Sequence, residues 1–295
     1  MTQEAGDPVL VEVDEGVATI TLNRPEARNA INGALGIGLA RAVGDCEARA
    51  DVAAMVLTGR DPAFCAGADL KELAGGGAAA AGHADDSASS GRPRERGLLR
   101  RRPSKPLDAG DPYRRDEFGQ YPFRGPYPPR TKLLIGAVNG PAITGGFELA
   151  LNCDFLVASD RARFADTHAR VGVMPGWGLT VLLVETIGVR RARELSSTGN
   201  FIDAETALTW GLVNHVVPHE ELVPFAQDLA RAAAGNDQVG VRRMLATYDE
   251  IAATIYDAGW EVERRVNRAW LADGIDAEEV ARRKDAIVER GRGQL

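Results

Sequence analysis

The sequence is poor in cysteine and has no long apolar run. Its 295 residues include three cysteines, Cys46, Cys65 and Cys153, which lie far apart and form no C-x-x-C pair. This number and spacing argue against a disulfide framework and against a structural zinc site. The longest uncharged stretch, residues 133–147, is interrupted by asparagine, proline and glycine, so it is too short and too broken to span a bilayer.

The sequence also lacks a basic excess and a targeting segment. Its 35 basic and 42 acidic residues give a formal charge of −7, which argues against a nucleic-acid binder that acts through a basic surface. The N-terminus is acidic and polar, without the basic and apolar regions of a signal peptide. Together with the sparse cysteine, these features predict a cytoplasmic protein.

Charge and proline are distributed unevenly along the chain. Residues 92–130 hold ten Arg and one Lys against five acidic residues, a local charge of +6, so the rest of the chain carries −13. Eight of the 15 prolines also fall in this window. Residues 74–84, just before it, are almost all alanine and glycine. Because the flanking segments are strongly patterned, residues 74–130 are interpreted as a mobile or partly disordered insertion.

The patterned part alternates between strand and helix signals. Residues 9–13 and 17–22 are typical of strands, residues 32–46 carry apolar residues at helical spacing, and residues 53–59 resemble a buried strand. Further strands are predicted over residues 132–138, 154–158 and 213–217. Residues 177–211 are predicted to be helical with a break near Gly188. The chain from Glu220 onwards is predicted to be helical, with breaks near 235–236 and 273–274. This order predicts an α/β core followed by a helical tail.

Two glycine-rich segments share one design. Residues 64–72 and 140–148 each follow a strand and enter a helix through small residues, which lets a ligand approach the main chain closely. Unpaired amides at a helix start favour an anionic oxygen. Two such amides converging on one oxygen would form an oxyanion hole.

These segments and their surroundings resemble the crotonase family, the enoyl-coenzyme A hydratase/isomerase superfamily. The resemblance runs from about residue 8 to the C-terminus, residues 74–130 excluded. The motifs that carry it are Leu22-Asn23-Arg24-Pro25 with Asn29-Ala30, residues 64–72, residues 139–148, Cys153-Asp154, Phe164-Ala165 and Gly211-Leu212-Val213.

The resemblance implies a fold, an assembly and a ligand. The fold would be a spiral of ββα turns over residues 1–210, with a helical oligomerisation region over residues 211–295 that forms trimers or dimers of trimers. The ligand would be an acyl-coenzyme A thioester, whose coenzyme A is part of the substrate. The resemblance calls for no metal and no redox cofactor.

The resemblance also assigns residues to the site. The backbone amides of Ala68 and Gly145 would polarise the thioester carbonyl. The expected substrate-binding residues are Ala66, Ala68, Asp69, Leu70, Lys71 and Gly145. Glu148, three residues after Gly145, is the expected catalytic carboxylate, because from the first helical turn it could reach a water or a substrate proton. The alternative is a Glu that only complements the helix dipole.

The sequence departs from the family pattern at one position. Hydratases of this family carry a second Glu twenty residues after the first, and this chain has His168 there. A histidine could transfer protons near neutral pH, with Asp166 orienting or replacing it, or it could only shape the site. Despite this departure, the resemblance to the family predicts reversible hydration of a 2-enoyl thioester. Double-bond isomerisation and acyl-coenzyme A binding without turnover are the alternatives.

Other candidates carry weaker signals. Cys65 adjoins the expected oxyanion hole but is interpreted as a packing residue, and Trp177 could line the acyl pocket or the core. His215 and His219 have the spacing of a helical metal pair, but Pro218 and a predicted strand argue against a metal site. The arginines of the 92–130 window could be solvated, could meet the phosphates of coenzyme A, or could dock an acidic partner.

Overall fold

The computed structural model of the chain describes residues 6–70, 72, 124–272 and 277–294. The strands are β1 (Val9–Asp14), β2 (Val17–Leu22), β3 (Ala54–Gly59), β4 (Leu133–Val138), β5 (Pro141–Ile143), β6 (Phe155–Ser159), β7 (Arg163–Ala165), β8 (Ile202–Asp203) and β9 (His215–Val217). The helices are α1 (Gly33–Ala48), α2 (Gly145–Leu151), α3 (His168–Val171), α4 (Leu179–Ile187), α5 (Val189–Thr198), α6 (Ala204–Trp210), α7 (Leu222–Ala234), α8 (Gln238–Ala272) and α9 (Ala277–Arg292). Short 3-10 helices lie at Pro25–Ala27 and His219–Glu221.

Six strands form the main sheet, in the order β1-β2-β3-β4-β6-β9. β1 and β2 are an antiparallel hairpin whose turn residues Glu15 and Gly16 both have positive φ, as a two-residue turn that follows the strand twist requires. The other neighbouring pairs are parallel. Every residue of β3 and β4 is buried, because helices cover both faces of the sheet, and this explains why these strands read as continuous apolar runs.

Alternate residues of the sheet enter two separate apolar layers. One layer includes Ile20, Met55 and Leu134 together with Leu35 and Leu39 of α1. The other includes Val56 and Ile135 and is closed by α7 through Leu222, Ala226 and Ala230. Strand β9 and helix α7, which lie within the predicted oligomerisation region over residues 211–295, therefore pack with the sheet.

A second, smaller sheet positions the candidate site. In it β5 runs parallel to β7, with Ile143 opposite Ala165, and β8 runs antiparallel to β7. Because β5 and β7 are parallel neighbours, the segments that leave their carboxyl ends emerge side by side. Those segments carry Gly145 and Glu148 after β5, and Asp166 and His168 after β7.

The predicted α/β order is confirmed, with one correction in the helical part. The expectation of a single break over residues 177–211 is wrong, because helix α5 ends at Gly199 in a left-handed conformation and the chain forms β8 before α6 begins. This is a common glycine C-cap, and it ends the helix although apolar residues at helical spacing continue after it. The break near residues 235–236 is confirmed, whereas the one at 273–274 lies outside the described residues.

The predicted insertion is described only at its end. Residues 74–123 lie outside the described residues, whereas residues 124–130 pack on the core. The buried Tyr127 hydroxyl donates to the carbonyl of Leu149 at 2.7 Å, and Arg130 forms a 2.7 Å ion pair with Asp154. Residues 124–130 of the predicted insertion therefore belong to the packed core. Among the described residues, no helix combines the length and apolar composition that crossing a membrane requires.

Candidate active site

The first glycine-rich segment lies beside the second. Isolated parallel bridges join Ile31 to Ala68 and Cys65 to Ala142, so residues 65–68 run along the β5 side of the site. The backbone packing is so close that a Cβ added to Gly146 would lie 2.1 Å from the Cys65 carbonyl oxygen. Glycine at position 146 is therefore a steric requirement of the contact between the two segments.

The two predicted oxyanion residues, Ala68 and Gly145, lie close together. A Cβ added to Gly145 would lie 3.8 Å from the Ala68 nitrogen, and one added to Gly67 would lie 3.6 Å from the Gly145 nitrogen. In the bridge between Ile31 and Ala68, the Ile31 amide donates to the carbonyl of Gly67, and the Ile31 carbonyl accepts the amide of Asp69. The Ala68 amide is therefore directed away from Ile31. Within the described part of the chain, neither the Ala68 nor the Gly145 nitrogen donates to a backbone carbonyl. Ala68 is exposed.

The residue before Gly145 is held in an unusual conformation. Thr144 has φ +54° and ψ −112°, a region that strongly disfavours a β-branched residue. Its backbone nitrogen donates to Ala165, and its hydroxyl bonds to the hydroxyl of Thr167 and accepts the Thr167 amide at 3.2 Å. These bonds fix the direction of the chain as it enters α2. They also join that chain to the segment that carries His168.

Glu148 lies in the first turn of α2 and is buried. Its Oε1 accepts the backbone amides of Gly176 at 3.2 Å and of Trp177 at 2.8 Å. Its Oε2 lies 3.5 Å from Nε2 of His168. One oxygen of the carboxylate is thus bound by two backbone amides, and the other faces His168. The alternative from the sequence, a Glu that only complements the dipole of its own helix, does not describe this side chain.

His168 sits between two carboxylates. Its Nδ1 donates to Oδ1 of Asp166 at 2.6 Å, and its backbone amide donates to the same oxygen at 3.1 Å. His168 and Asp166 are both buried. Asp166, His168 and Glu148 therefore form a continuous acid–base line, in which Asp166 fixes the ring and Nε2 faces the expected catalytic carboxylate.

The charges in this line stabilise one another. Burial alone would lower the pKa of His168, but its hydrogen bonds to Asp166 and Glu148 and their negative charges outweigh burial and raise it to about 9. Burial would raise the pKa of Asp166, and the hydrogen bond and charge of His168 lower it below its ordinary value. His168 is therefore an imidazolium at neutral pH.

The other predicted residues are placed unevenly. Ala66, Asp69 and Leu70 lie beside Ala68 and are partly exposed, and Lys71 lies outside the described residues. Asp69 forms a 3.1 Å ion pair with Arg24. This pair joins the residue after Ala68 to the Leu22-Asn23-Arg24-Pro25 motif.

Two alternatives from the sequence are resolved. Cys65 is buried, and burial raises its pKa to about 12, which makes it a packing residue and a poor nucleophile. All three cysteines are free thiols. His215 packs against Phe225, while His219 bonds to Ser159 and Asp61, so the two histidines do not converge. Across the described ranges, no cluster of three or more His, Cys, Asp and Glu residues could hold a metal ion.

Sequence reasoning missed the role of residues 176 and 177. The sequence raised Trp177 as a possible pocket wall, but its backbone amide, with that of Gly176, holds Glu148. The glycines on both sides of Trp177 were a signal of close main-chain approach. Nothing in the local sequence indicated that the partner would lie about thirty residues earlier.

Comparison with known proteins places this chain in a family. The family model described as enoyl-CoA hydratase/isomerase matches residues 12–91 and 130–278, and it omits nearly the whole Arg/Pro-rich window. The probable peroxisomal enoyl-CoA hydratase 1 of Arabidopsis thaliana is 33% identical over 276 residues, 94% of this chain and 91% of that protein.

Solved structures agree. An enoyl-CoA hydratase from Mycobacterium tuberculosis is 40% identical with a TM-score of 0.72, and the alignment covers 90% of this chain and 100% of that one. An enoyl-CoA hydratase from Mycobacterium paratuberculosis is 39% identical with a TM-score of 0.72, over 90% of this chain and 98% of that one. The chain therefore belongs to the enoyl-CoA hydratase/isomerase family.

Proposed function

We propose that the protein catalyses the reversible hydration of a 2-enoyl-CoA thioester to a 3-hydroxyacyl-CoA. The observation that carries this proposal is the pairing of the buried Glu148 carboxylate with a buried His168, close to the backbone nitrogens of Ala68 and Gly145. The hydratase names of the relatives and their coverage of almost the whole chain support it.

The amides of Ala68 and Gly145 would bind the thioester oxygen. Addition of water to the β-carbon places negative charge on this oxygen as an enolate forms, and each fixed donor contributes about 3–4 kcal/mol to such a transition state. The bonds of Thr144 to Thr167 and Ala165 keep the Gly145 amide in place before substrate arrives. Ala66, Asp69, Leu70 and Lys71 are proposed to lie along the coenzyme A.

Glu148 and His168 would divide the two proton transfers. Oε2 of Glu148 takes a proton from the water as the water oxygen bonds to the β-carbon. The His168 imidazolium gives its Nε2 proton to the α-carbon of the enolate. The proton then returns from Glu148 to His168 across their 3.5 Å separation, directly or through one water, and both groups are restored. The net change is the addition of one water. Neither transfer draws on a metal or a redox cofactor.

A substrate comparison tests this proposal against its alternatives. Purified protein would be offered crotonyl-CoA, a longer 2-enoyl-CoA and a 3-enoyl-CoA. Loss of the 2-enoyl absorbance with either of the first two supports hydration. Appearance of that absorbance from the 3-enoyl substrate, without hydration, supports isomerisation instead. Ligand-induced stabilisation without turnover of any thioester would leave only a binding function.

We also propose that the protein assembles as a homotrimer or a dimer of trimers. Support comes from the 35-residue helix α8, which carries a row of exposed large apolar residues. They are Met244, Tyr248, Ile251, Ile255, Val262, Val266 and Trp270. Contiguous exposed apolar surface of this kind marks an interaction site.

The free thiols support a reducing compartment, which we propose to be the cytoplasm.

A further inference from the structure

The turn that holds Glu148 also binds a second carboxylate. Residues 176–178, called here the 176–178 turn, donate the amides of Gly176 and Trp177 to Glu148 and the amide of Gly178 to Glu263. That third amide donates to Oε1 of Glu263 at 2.6 Å. The same carboxylate accepts the Thr180 amide at 2.8 Å through Oε2, and it accepts the Thr180 hydroxyl as well.

Glu263 belongs to the long C-terminal helix α8, 85 residues from Gly178, yet it is buried. It caps the start of α4, whose own N-cap residue Gly178 has no side chain to do so. The carboxylate thus satisfies amides that a local Ser or Asp usually satisfies.

Two further contacts join helix α8 to the 176–178 turn and to Met174 just before it. A Cβ added to Gly178, which has φ +94°, would lie 2.1 Å from the Trp260 ring. The side-chain amide of Asn267 donates to the carbonyl of Met174 at 2.9 Å. Trp260, Glu263 and Asn267 lie three and four residues apart, on one face of the helix. The face therefore contacts the chain on both sides of Gly176 and Trp177, the residues that bind Glu148.

The placement of Glu263 carries an electrostatic cost. Burial raises its pKa, and the charge of Glu148 raises it further. An acid placed near another buried acid is a poor choice for a cap if stability is the only requirement. Such violations of local rules are expected where a site needs a defined geometry.

We propose that Glu263 is a positioning residue for Glu148. By fixing Gly178 and Thr180, it holds the amides of Gly176 and Trp177 in line with Oε1 of Glu148, which leaves Oε2 directed at His168 and the reacting water. This inference rests on the proposed function, in which Glu148 is the base. It assigns a catalytic contribution to a side chain of the C-terminal helix that does not touch substrate.

The test compares Glu263→Ala with Glu261→Ala, a matched change at an exposed position two residues away on the same helix. Loss of the Glu263 contacts is expected to lower kcat of crotonyl-CoA hydration by about 10- to 100-fold, as small misplacements of catalytic groups do. KM is expected to stay within about twofold, because the substrate contacts are untouched. Glu263→Gln, which keeps one acceptor oxygen, is expected to recover part of kcat. Glu261→Ala is expected to behave as wild type.

Hydrogen exchange gives a readout that does not depend on turnover. Amides of the peptide spanning residues 174–180 are expected to exchange faster in both Glu263 variants than in wild type. The fastest exchange is expected in Glu263→Ala, and Glu263→Gln is expected to be intermediate. A folded Glu263→Ala protein with wild-type kcat would overturn the proposal. If Glu263→Ala does not fold, unchanged kcat and exchange in Glu263→Gln would overturn it. If wild type turns over no enoyl thioester, the proposed function fails, while the exchange data still show whether Glu263 holds the turn.

Discussion

Nε2 of His168 lies 3.5 Å from Oε2 of Glu148, and both side chains are buried. The hydrogen bond to Glu148 and its negative charge help to raise the pKa of His168. In the proposed reaction the histidine therefore carries the proton at neutral pH, and the Glu148 carboxylate acts as the base.

The charge on His168 predicts a pH dependence. The His168 imidazolium is the proposed proton donor, and its pKa is about 9, so it stays charged as pH rises until that value is approached. Activity is expected to fall on the alkaline side near pH 9. Asp166→Asn removes the strongest favourable partner of the imidazolium and is expected to move this limb to lower pH, as measured from kcat/KM profiles.

The control for this change is Asp228→Asn, on an exposed acid of α7. Its profile is expected to match that of wild type. An alkaline limb that stays in place in Asp166→Asn would contradict the assignment of His168 as the proton donor.

The oxyanion hole predicts a steric effect at Gly145. A methyl group there would project to within 3.3 Å of Ile31 Cδ1 and 3.8 Å of the Ala68 nitrogen, into the space proposed for the thioester oxygen. Gly145→Ala is expected to fold and to lose about 100-fold or more in kcat, in line with the loss of a single oxyanion donor. Steady-state kinetics with crotonyl-CoA and thermal unfolding measure the two quantities.

Gly235→Ala serves as the comparison, because its added Cβ would meet nothing closer than 3.5 Å and its φ is −71°. Wild-type kcat in a folded Gly145→Ala protein would show that the carbonyl binds elsewhere.

The apolar row on α8 predicts how the assembly can be broken. Ile255 is 63% exposed near the middle of the row, so a charge there would be buried without a partner at a subunit contact. Ile255→Glu is expected to shift the molecular mass, measured by light scattering after gel filtration, from a multiple of three towards the monomer.

The matched change is Leu208→Glu, at an exposed apolar residue on α6 rather than α8. It is expected to leave the mass unchanged. A trimer that survives Ile255→Glu would place the interface on another surface.

Local sequence predicted the parts of the site whose cause is local. The small residues around position 145 predicted that a helix begins there. The three-residue spacing from Gly145 to Glu148 placed the carboxylate in the first turn of that helix. The parallel pairing of β5 with β7 then brought His168 to it, which the sequence supported only through the family resemblance. Glu263 had no such signal. Its partner amides lie more than eighty residues away, and a buried Glu on an amphipathic helix looks like any other polar residue.

The role of Glu148 as the base is tested most directly by Glu148→Gln, which keeps an acceptor for the Gly176 and Trp177 amides but removes the basic oxygen facing His168. The measurement is the rate of loss of enoyl absorbance from crotonyl-CoA, with Glu205→Gln, an exposed glutamate on α6, as the control. The account predicts that Glu148→Gln lowers kcat by about 10²- to 10⁴-fold, while Glu205→Gln matches wild type. Hydration at the wild-type rate by a folded Glu148→Gln protein would contradict it.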